Sequence, residues 1–443
     1  MFVLLLVLLA SIYLPIRQSK WNQLDVIKWD ASGYYLYLPA FFIYKDIGHL
    51  KFYDAIDQKY LLASGEIKQY GLYPQSTTGK ILNKYAIGVA LAELPLFILA
   101  DVYCKYINPI YECDGYSLPY QMAVAYSTGF WTLIGTLFLL LFLIKIFKDK
   151  IAALAVLLIV FGTNLFCYSY SNLGMSHSLM FMLHAALLYY TYQWYQKPKI
   201  AFALAIGLLL GWISIARPID IVAALIVICW PMALATNVYK NRLNLWKQHI
   251  ASILWSIIVF IGMLAIQLLY WKYITGHFIH FSYQDEGFNF LKPELFNGLF
   301  SFRKGWFIYT PLAFIALSGI FFLKNELKAF RWILICYFVL FIYIVFSWWM
   351  WYYGWGFGAR AMIDSYAILA IALGALLNYI TAQKRLFQFI SFSVLLFVLW
   401  LNLYQTKQFE MGAIQGDHMN RKFYFRVWNK LHPSPEDWKY YNP

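Results

Sequence analysis

The stretch Gln121–Ile144, QMAVAYSTGFWTLIGTLFLLLFLI, decides the class of this protein because it contains no charged residue. An α-helix needs about 20 mainly apolar residues to cross the hydrocarbon core of a bilayer. The stretch therefore predicts a membrane-spanning helix. The whole chain agrees, since 62% of its 443 residues are hydrophobic and only 13% are charged. Such a composition is typical of proteins that cross the membrane several times.

Similar apolar runs lie on both sides of this stretch. The first run, Met1–Ile16, lacks the basic start and the small-residue cleavage site of a signal peptide, so it predicts a retained span. Nine more runs predict spans at Ile151–Tyr168, Ser178–Trp194, Ile200–Ile215, Ile219–Thr236, Ile250–Trp271, Gly305–Leu323, Trp332–Met350, Ala361–Ile380 and Phe387–Tyr404. We therefore expect an all-α polytopic membrane protein with about 11 transmembrane helices.

One apolar run, Tyr85–Tyr103, is not counted among the spans. It carries Glu93 near its middle, and a carboxylate at the bilayer centre costs roughly 2.5–3.5 kcal/mol on insertion scales. We expect this run to lie on the membrane surface, within a long first loop.

The charge of the loops predicts the orientation. Lys and Arg favour cytoplasmic loops, so the short basic loops between the later spans are expected inside. The first loop is then expected outside because Tyr85–Tyr103, which carries Glu93, is not counted as a crossing. We expect a membrane domain over residues 1–404, whose outer first loop 17–119 carries surface-lying helices, and a short extracytoplasmic tail over 405–443. The tail would cap an outer cavity or bind a partner. The basic loops also explain the net charge of +14, so no nucleic-acid partner is expected.

The predicted outer face collects the chemically unusual residues, and Asp30 is the first of them. It lies in WDASGYYLYLP (Trp29–Pro39), with a glycine and two tyrosines behind it. A carboxylate beside aromatic rings at the membrane boundary is suited to act as a general base. Asp30 could equally be the N-cap of the short helix that Tyr34–Tyr44 predicts. The residues alone leave both interpretations open.

Three outer cations are candidates for binding an anionic ligand. Arg217 precedes Pro218 in a tight turn between two predicted spans, and Arg303 and Lys304 stand just before another span. Cations near the free amides of a helix N-terminus suit a phosphate. The alternative for each is an ordinary contact with lipid head groups.

The densest aromatic stretch is Trp348–Arg360, WWMWYYGWGFGAR. Its rings, among them Trp355, suit a sugar face or a prenyl chain, and the alternative is an interfacial aromatic belt. Three glycines in five residues favour a shaped loop, and Arg360 at its end can make a bidentate phosphate contact. His177 and His184 lie seven residues apart, which does not make a metal pair and is typical of helix packing.

Four stretches resemble the GT-C superfamily of membrane glycosyltransferases, which includes the protein mannosyltransferases and the aminoarabinose transferases. They are Asp30 with Tyr34 and Tyr35, the pair Asn83–Gly88 and Leu94–Phe97, the turn Ala216-Arg217-Pro218, and Gly356–Arg360. The resemblance implies an inverting transfer of a sugar from a polyprenyl-phosphate donor to a hydroxyl of a glycan, lipid or protein. It also implies a multi-pass enzyme of the inner (plasma) membrane whose active site faces outside.

The resemblance implies roles for individual residues. Asp30 would be the catalytic base that deprotonates or orients the acceptor hydroxyl. The phosphate of the donor would be held by cations, and the rings would contact the acceptor or the sugar. The residues concerned are Arg217, Arg303, Lys304 and Arg360 for the phosphate, and Tyr34, Tyr35 and Trp355 for the contacts. Asp30 is followed by Ala31, so the Asp-Glu pair of some members is absent and no cofactor or metal is assigned.

Two other classes stay open at this point. A lipid-linked glycan flippase or another transporter would place charged residues deep within its spans and contain internal repeats. Neither feature is clear in the sequence, since Asp220 and Asp364 lie near the ends of predicted spans. An O-antigen ligase or polymerase would use closely related chemistry.

Overall fold

The computed structural model describes residues 2–63, 70–234 and 241–441. The chain is 68% helical with almost no strand. Helices suit a lipid environment because each satisfies its backbone hydrogen bonds within one segment. In the described ranges the strands β1 (Leu72–Pro74) and β2 (Ile81–Asn83) form one antiparallel pair, with Tyr73 opposite Leu82. This finding fits the expected all-α membrane protein.

The α-helices are numbered in chain order. They are α1 (Phe2–Gln18), α2 (Asp30–Tyr35), α3 (Tyr37–Phe42), α4 (Tyr53–Tyr60), α5 (Gly88–Val102), α6 (Leu118–Leu143), α7 (Asp149–Phe161), α8 (Leu165–Tyr170), α9 (His177–Gln196), α10 (Ile200–Ala216), α11 (Ala224–Ile228), α12 (Arg242–Gln248), α13 (Ile250–Thr275), α14 (Leu295–Phe300), α15 (Trp306–Tyr309), α16 (Pro311–Ser318), α17 (Phe330–Phe346), α18 (Tyr366–Thr381), α19 (Arg385–Glu410) and α20 (Arg421–Arg426). Short 3₁₀ helices at Pro218–Ala223 and Arg360–Ser365 lead into α11 and α18.

Six helical segments in the described residues are long and apolar enough to cross a membrane. They are Phe2–Gln23, Leu118–Leu143, Ile250–Thr275, Asn325–Phe346, Arg360–Thr381 and Arg385–Glu410. Each overlaps a run that the sequence predicts as a span. The remaining predicted runs are also helical, but their helices are shorter or less apolar, so the count of eleven stays a prediction. The end of the run Ile219–Thr236 lies outside the described residues.

The candidate spans differ in how deeply they are buried. In the segment Arg360–Thr381, 94% of the apolar window is buried, whereas the value is 11% for Ile250–Thr275. A helix that is apolar on all sides and fully covered belongs to the centre of a bundle. The segment that begins at Arg360 is therefore the central helix, and α13 exposes its apolar side chains at the periphery.

The first loop folds into a layer with its own core. Tyr35, Tyr53 and Tyr116 are buried in it. The layer is joined to the bundle because Tyr270 of α13 accepts a hydrogen bond from the backbone N–H of Asn83 at 3.0 Å. The predicted helices of this loop are present as α2, α3 and α5. Their position relative to a membrane surface stays a prediction.

The C-terminal tail is packed onto the body of the protein. Helix α19 continues to Glu410, beyond the predicted span end at Tyr404. The ring of Tyr424 in α20 lies 5.1 Å from that of Phe302 and 5.8 Å from that of Tyr309. Its hydroxyl accepts a 2.6 Å hydrogen bond from Gln405. The tail therefore covers the segment that carries Arg303 and Lys304.

Candidate functional site

Asp30 is the first residue of α2, and its carboxylate is held by three side chains. Oδ1 accepts hydrogen bonds from the hydroxyls of Tyr85 at 2.5 Å and Tyr70 at 3.1 Å. Oδ2 accepts one from Nη2 of Arg360 at 2.7 Å. The N-cap of α2 is Trp29, and no side chain caps the helix. The N-cap interpretation of Asp30 is therefore wrong, and its carboxylate faces tyrosines and an arginine.

A close approach between α2 and the end of the β-hairpin positions Tyr85. A Cβ atom on Gly33 would lie 2.1 Å from Cδ2 of the Tyr85 ring, so only glycine leaves room for this ring. The side chain of Asn83 donates to the carbonyl of Gly33 at 2.7 Å. Tyr37 donates to the carbonyl of Tyr85 at 2.5 Å. Together these contacts place the Tyr85 hydroxyl on Asp30.

Positive charge keeps the Asp30 carboxyl ionised. Burial by itself raises the pKa of this carboxyl, but Arg360, the hydrogen bond from Tyr85 and the charge of Lys84 outweigh burial and lower it. Lys84 pairs with Glu286 at 3.0 Å, and its ammonium lies 5.4 Å from the centre of the Tyr70 ring. Burial and Asp30 raise the pKa of Tyr85 well above its usual value, which keeps that hydroxyl a donor.

Arg217 lies in a second buried group, the acid cluster, which consists of Arg217, Asp220, Asp364 and His177. Nε of Arg217 is 3.1 Å from Oδ2 of Asp364 and 3.4 Å from Oδ2 of Asp220. Nδ1 of His177 is 3.0 Å from Oδ1 of Asp364. Both carboxylates are almost inaccessible to solvent. One edge of the Arg217 guanidinium is therefore held by acids.

Tyr34 links the acid cluster to Asp30. Burial and the charge of Asp30 raise the pKa of the Tyr34 hydroxyl, and the charges of Arg217 and Arg360 lower it. Its hydroxyl is thus within electrostatic reach of both arginines. The ring of Tyr34 also meets the Tyr85 ring edge-on, with 4.8 Å between centroids. Tyr34 therefore packs beside Asp30, and the charges of Arg217 and Arg360 both act on its hydroxyl.

Arg303 and Lys304 lie beside this site and already have partners. Arg303 forms a bidentate pair with Asp417 of the tail, at 2.6 and 3.0 Å, and lies 3.4 Å from the centre of the Tyr352 ring. Lys304 is buried and donates to the carbonyl of Gly356. Burial, together with Arg360, lowers the pKa of the Lys304 ammonium well below its usual value. Both residues support the Gly-rich loop, and their contact with a phosphate stays a prediction.

The Gly-rich loop presents Arg360 to Asp30. Gly356 has a φ of +154°, and a Cβ there would lie 2.3 Å from the Tyr168 hydroxyl. The same hydroxyl accepts a hydrogen bond from the N–H of Phe357 at 2.9 Å. Arg360 follows at the start of the central helical segment. The arginine therefore stands on the most deeply buried element of the bundle.

The structure does not bring two of the predicted ring contacts to Asp30. Tyr35 lies in the core of the first loop and donates to the carbonyl of Gly115 at 2.6 Å. Trp355 is 61% exposed and lies against Gly416 of the tail. Asp25, by contrast with Asp30, makes only a 3.2 Å pair with Lys28 three residues away.

Sequence reasoning missed several members of the site: Tyr70, Lys84, Tyr85, His177, Asp220 and Asp364. Lys84 and Tyr85 lie in Asn83–Gly88, one of the four stretches that resemble GT-C enzymes. Their position in this stretch was the signal that could have marked them as site residues. His177 was interpreted as a packing residue because its partner, Asp364, lies 187 residues further along the chain. In the described residues no group of three or more His, Cys, Asp or Glu side chains could hold a metal ion.

No family model, curated protein or solved structure matches this chain. The geometry of the site is therefore the basis for assigning a function.

Proposed function

We propose that this protein is a membrane glycosyltransferase that moves a sugar, with inversion, from a polyprenyl-phosphate donor to an acceptor hydroxyl on the extracytoplasmic face. The observation that best supports the proposal is that stretches far apart in the chain lie close together in the structure. Asp30 and Arg360, 330 residues apart in the chain, are joined at 2.7 Å. Tyr85 bonds Asp30, and Gly88 approaches the backbone of Ala216 closely. The four stretches that resemble GT-C enzymes thus meet in one place.

The chemistry follows from the charges at the site. Asp30, ionised, accepts the proton of the acceptor hydroxyl while that oxygen attacks the anomeric carbon. The bond from this carbon to the phosphate oxygen breaks, and the polyprenyl phosphate leaves with the electron pair. Arg360 and Arg217 have the planar donor geometry that neutralises a phosphate.

The ion pair between Asp30 and Arg360 regulates this reaction in the proposal. While Arg360 is bound, the carboxylate is a weak base because the neighbouring positive charge lowers its pKa. An incoming phosphate competes for Arg360. Once Arg360 moves to the phosphate, Asp30 becomes more basic and its Oδ2 is free for the acceptor. Binding of the donor therefore makes Asp30 a stronger base and frees its Oδ2 for the acceptor hydroxyl.

The test is a transfer assay with purified protein in lipid vesicles that contain a lipid-linked sugar pool and candidate acceptors. We expect Asp30→Asn to lower the release of polyprenyl phosphate by on the order of 10²–10⁴-fold, the range typical of general acid–base catalysis. Asp25→Asn is the matched control, because Asp25 makes only a pair with Lys28. Undiminished activity of Asp30→Asn would reject the base assignment.

The acid cluster favours a second candidate, a transporter of lipid-linked glycans. Buried ionisable residues in membrane segments are typical of substrate and proton pathways. A vesicle assay distinguishes the two candidates, since a flippase moves the intact lipid-linked sugar across the bilayer without releasing polyprenyl phosphate. A ligase or polymerase differs from the leading candidate only in its acceptor, which the same assay identifies.

A further inference from the structure

Two acids of the acid cluster, Asp220 and Asp364, form a close buried pair. Asp220 lies in the 3₁₀ helix that follows α10, and Asp364 in the one that precedes α18. Their Oδ2 atoms approach the same nitrogen, Nε of Arg217, at 3.4 and 3.1 Å. This shared nitrogen places the two carboxyl groups close together. Both residues are at most 1% exposed.

Apart from the ion pairs with Nε of Arg217, three oxygen atoms of this pair make no hydrogen bond within the described residues. They are both carboxyl oxygens of Asp220 and Oδ2 of Asp364. A buried carboxylate without donors is strongly destabilising, and two adjacent carboxylates cannot both ionise easily. One proton on Asp220 would remove the charge repulsion and donate a hydrogen bond to Asp364. It would also leave one negative charge beside one arginine.

The other groups around the pair do not replace this proton. His177 is itself the partner of Oδ1 of Asp364, and Oδ1 is not one of the three oxygen atoms that lack a hydrogen bond. Tyr353 donates its hydroxyl to the carbonyl of Val345 at 2.8 Å. Tyr337 of α17 lies near both acids, and its hydroxyl makes no hydrogen bond in the described structure. One tyrosine hydroxyl cannot balance a second negative charge.

We infer that Asp220 and Asp364 share one proton, and that the protonated pair holds Arg217 so that its outer edge is left for an anionic ligand. The second half rests on the proposed function, in which that ligand is a lipid phosphate. If the pair loses its proton, a second buried negative charge stands beside Arg217. That charge weakens the attraction of the site for a phosphate.

Infrared spectroscopy tests the proton without any assay of activity. Protein labelled with a heavy carbon isotope in the side-chain carboxyl of aspartate should show an isotope-shifted carboxylic-acid band at neutral pH. Asp220→Asn and Asp364→Asn should each remove this band, and Asp25→Asn should leave it. The label excludes Glu93, another buried acid with an oxygen that lacks a partner. If the wild-type protein shows no aspartic-acid band, the shared proton is rejected, even where the variants fail to fold.

Binding of polyprenyl phosphate, measured between neutral and alkaline pH, tests the second half. We expect the wild-type affinity to fall by about tenfold or more as the pair deprotonates. Asp220→Asn mimics the protonated acid, so its affinity should show no such fall. A band without any binding of polyprenyl phosphate would keep the proton and reject the phosphate ligand and the proposed function. Binding without a band would reject the proton and leave the proposed function standing.

Discussion

At the scale of single residues, the environment of Asp30 determines what this carboxylate can do. Tyr85 and Arg360 hold its two oxygens, and Gly33 makes room for the Tyr85 ring. Gly33 lies three residues after Asp30, but Tyr85 and Arg360 are far from it in the sequence, so no local motif shows these contacts. Two predictions concern this environment.

The substitution Gly33→Ala should displace Tyr85. A Cβ atom 2.1 Å from Cδ2 of the ring forces the ring or the helix to move, which costs typically 1–3 kcal/mol, on the order of other overpacked sites. We expect lower thermal stability and weaker transfer, because the displaced Tyr85 hydroxyl no longer holds Asp30. Gly262→Ala in α13 is the control, because among the described residues its added Cβ would meet nothing within 4 Å beyond the adjoining backbone of its own helix. Normal stability and activity of Gly33→Ala would contradict the packing argument.

The acid limit of activity should depend on Arg360. The pKa of Asp30 in the folded protein lies below its ordinary value. The stability that the ionised carboxylate contributes is therefore complete above about pH 3.9, and it is lost as the pH falls through the lower folded-state pKa. Removing the cation in Arg360→Gln should raise this pKa, because the adjacent positive charge that lowers it is lost. Where residual transfer is measurable, its acid limb should move to higher pH. An unmoved limb would show that Asp30 titration does not control the reaction.

At the scale of elements, the tail and the Gly-rich loop behave as one unit. The N–H of Gly356 donates to the carbonyl of Gly416 at 2.9 Å. Arg303 pairs with Asp417 through two hydrogen bonds, and Trp355 covers Gly416. The loop that carries Arg360 is thus held by Gly416, and Asp417 holds Arg303 beside it.

The substitution Asp417→Asn should loosen this attachment. The pair is partly exposed, so its loss should lower stability by no more than about 1 kcal/mol. We expect faster cleavage of the tail in limited proteolysis and a lower affinity for the lipid phosphate, because Arg360 is less well positioned. Lys407→Gln is the control, since it removes an exposed pair within α19. Equal cleavage rates for Asp417→Asn and wild type would show that the tail is held by its aromatic contacts alone.

At the scale of the whole molecule, the orientation of the chain in the membrane determines on which side of the membrane the reaction takes place. The distribution of Lys and Arg predicts that the loop before α7 faces the cytoplasm. The first loop is predicted to face outside because the run Tyr85–Tyr103, with Glu93 near its middle, is not expected to cross. The layer formed by the first loop contains Asp30, so the site follows this loop to its side of the membrane.

Cysteine labelling tests the orientation. In a background without the five native cysteines, Lys51→Cys in the first loop and Lys148→Cys before α7 each introduce one exposed thiol. We expect an impermeant reagent to label position 51 in intact cells and position 148 only after lysis. The reverse pattern would place Asp30 inside the cell and reject an extracytoplasmic transferase.

The helical membrane class could be predicted from the sequence because it depends on local properties. A long uncharged run such as Gln121–Ile144 must form a helix if it enters lipid, whatever surrounds it. The candidate residues Asp30, Arg217 and Arg360 were also found from their types and positions in the chain. The number of spans was not decided in this way, since several predicted runs form helices too short or too polar to count by length and composition.

Only the tertiary structure decided which of these residues act together. It joined Asp30 to Arg360 across 330 residues and His177 to Asp364 across 187. It also directed Tyr35 into the core of the first loop and paired Arg303 with the tail. The physical reason is that a buried charge takes its partner from whichever helix packs beside it. Hydropathy determines that helices enter the membrane, but the pairing of their polar residues depends on packing across the whole chain.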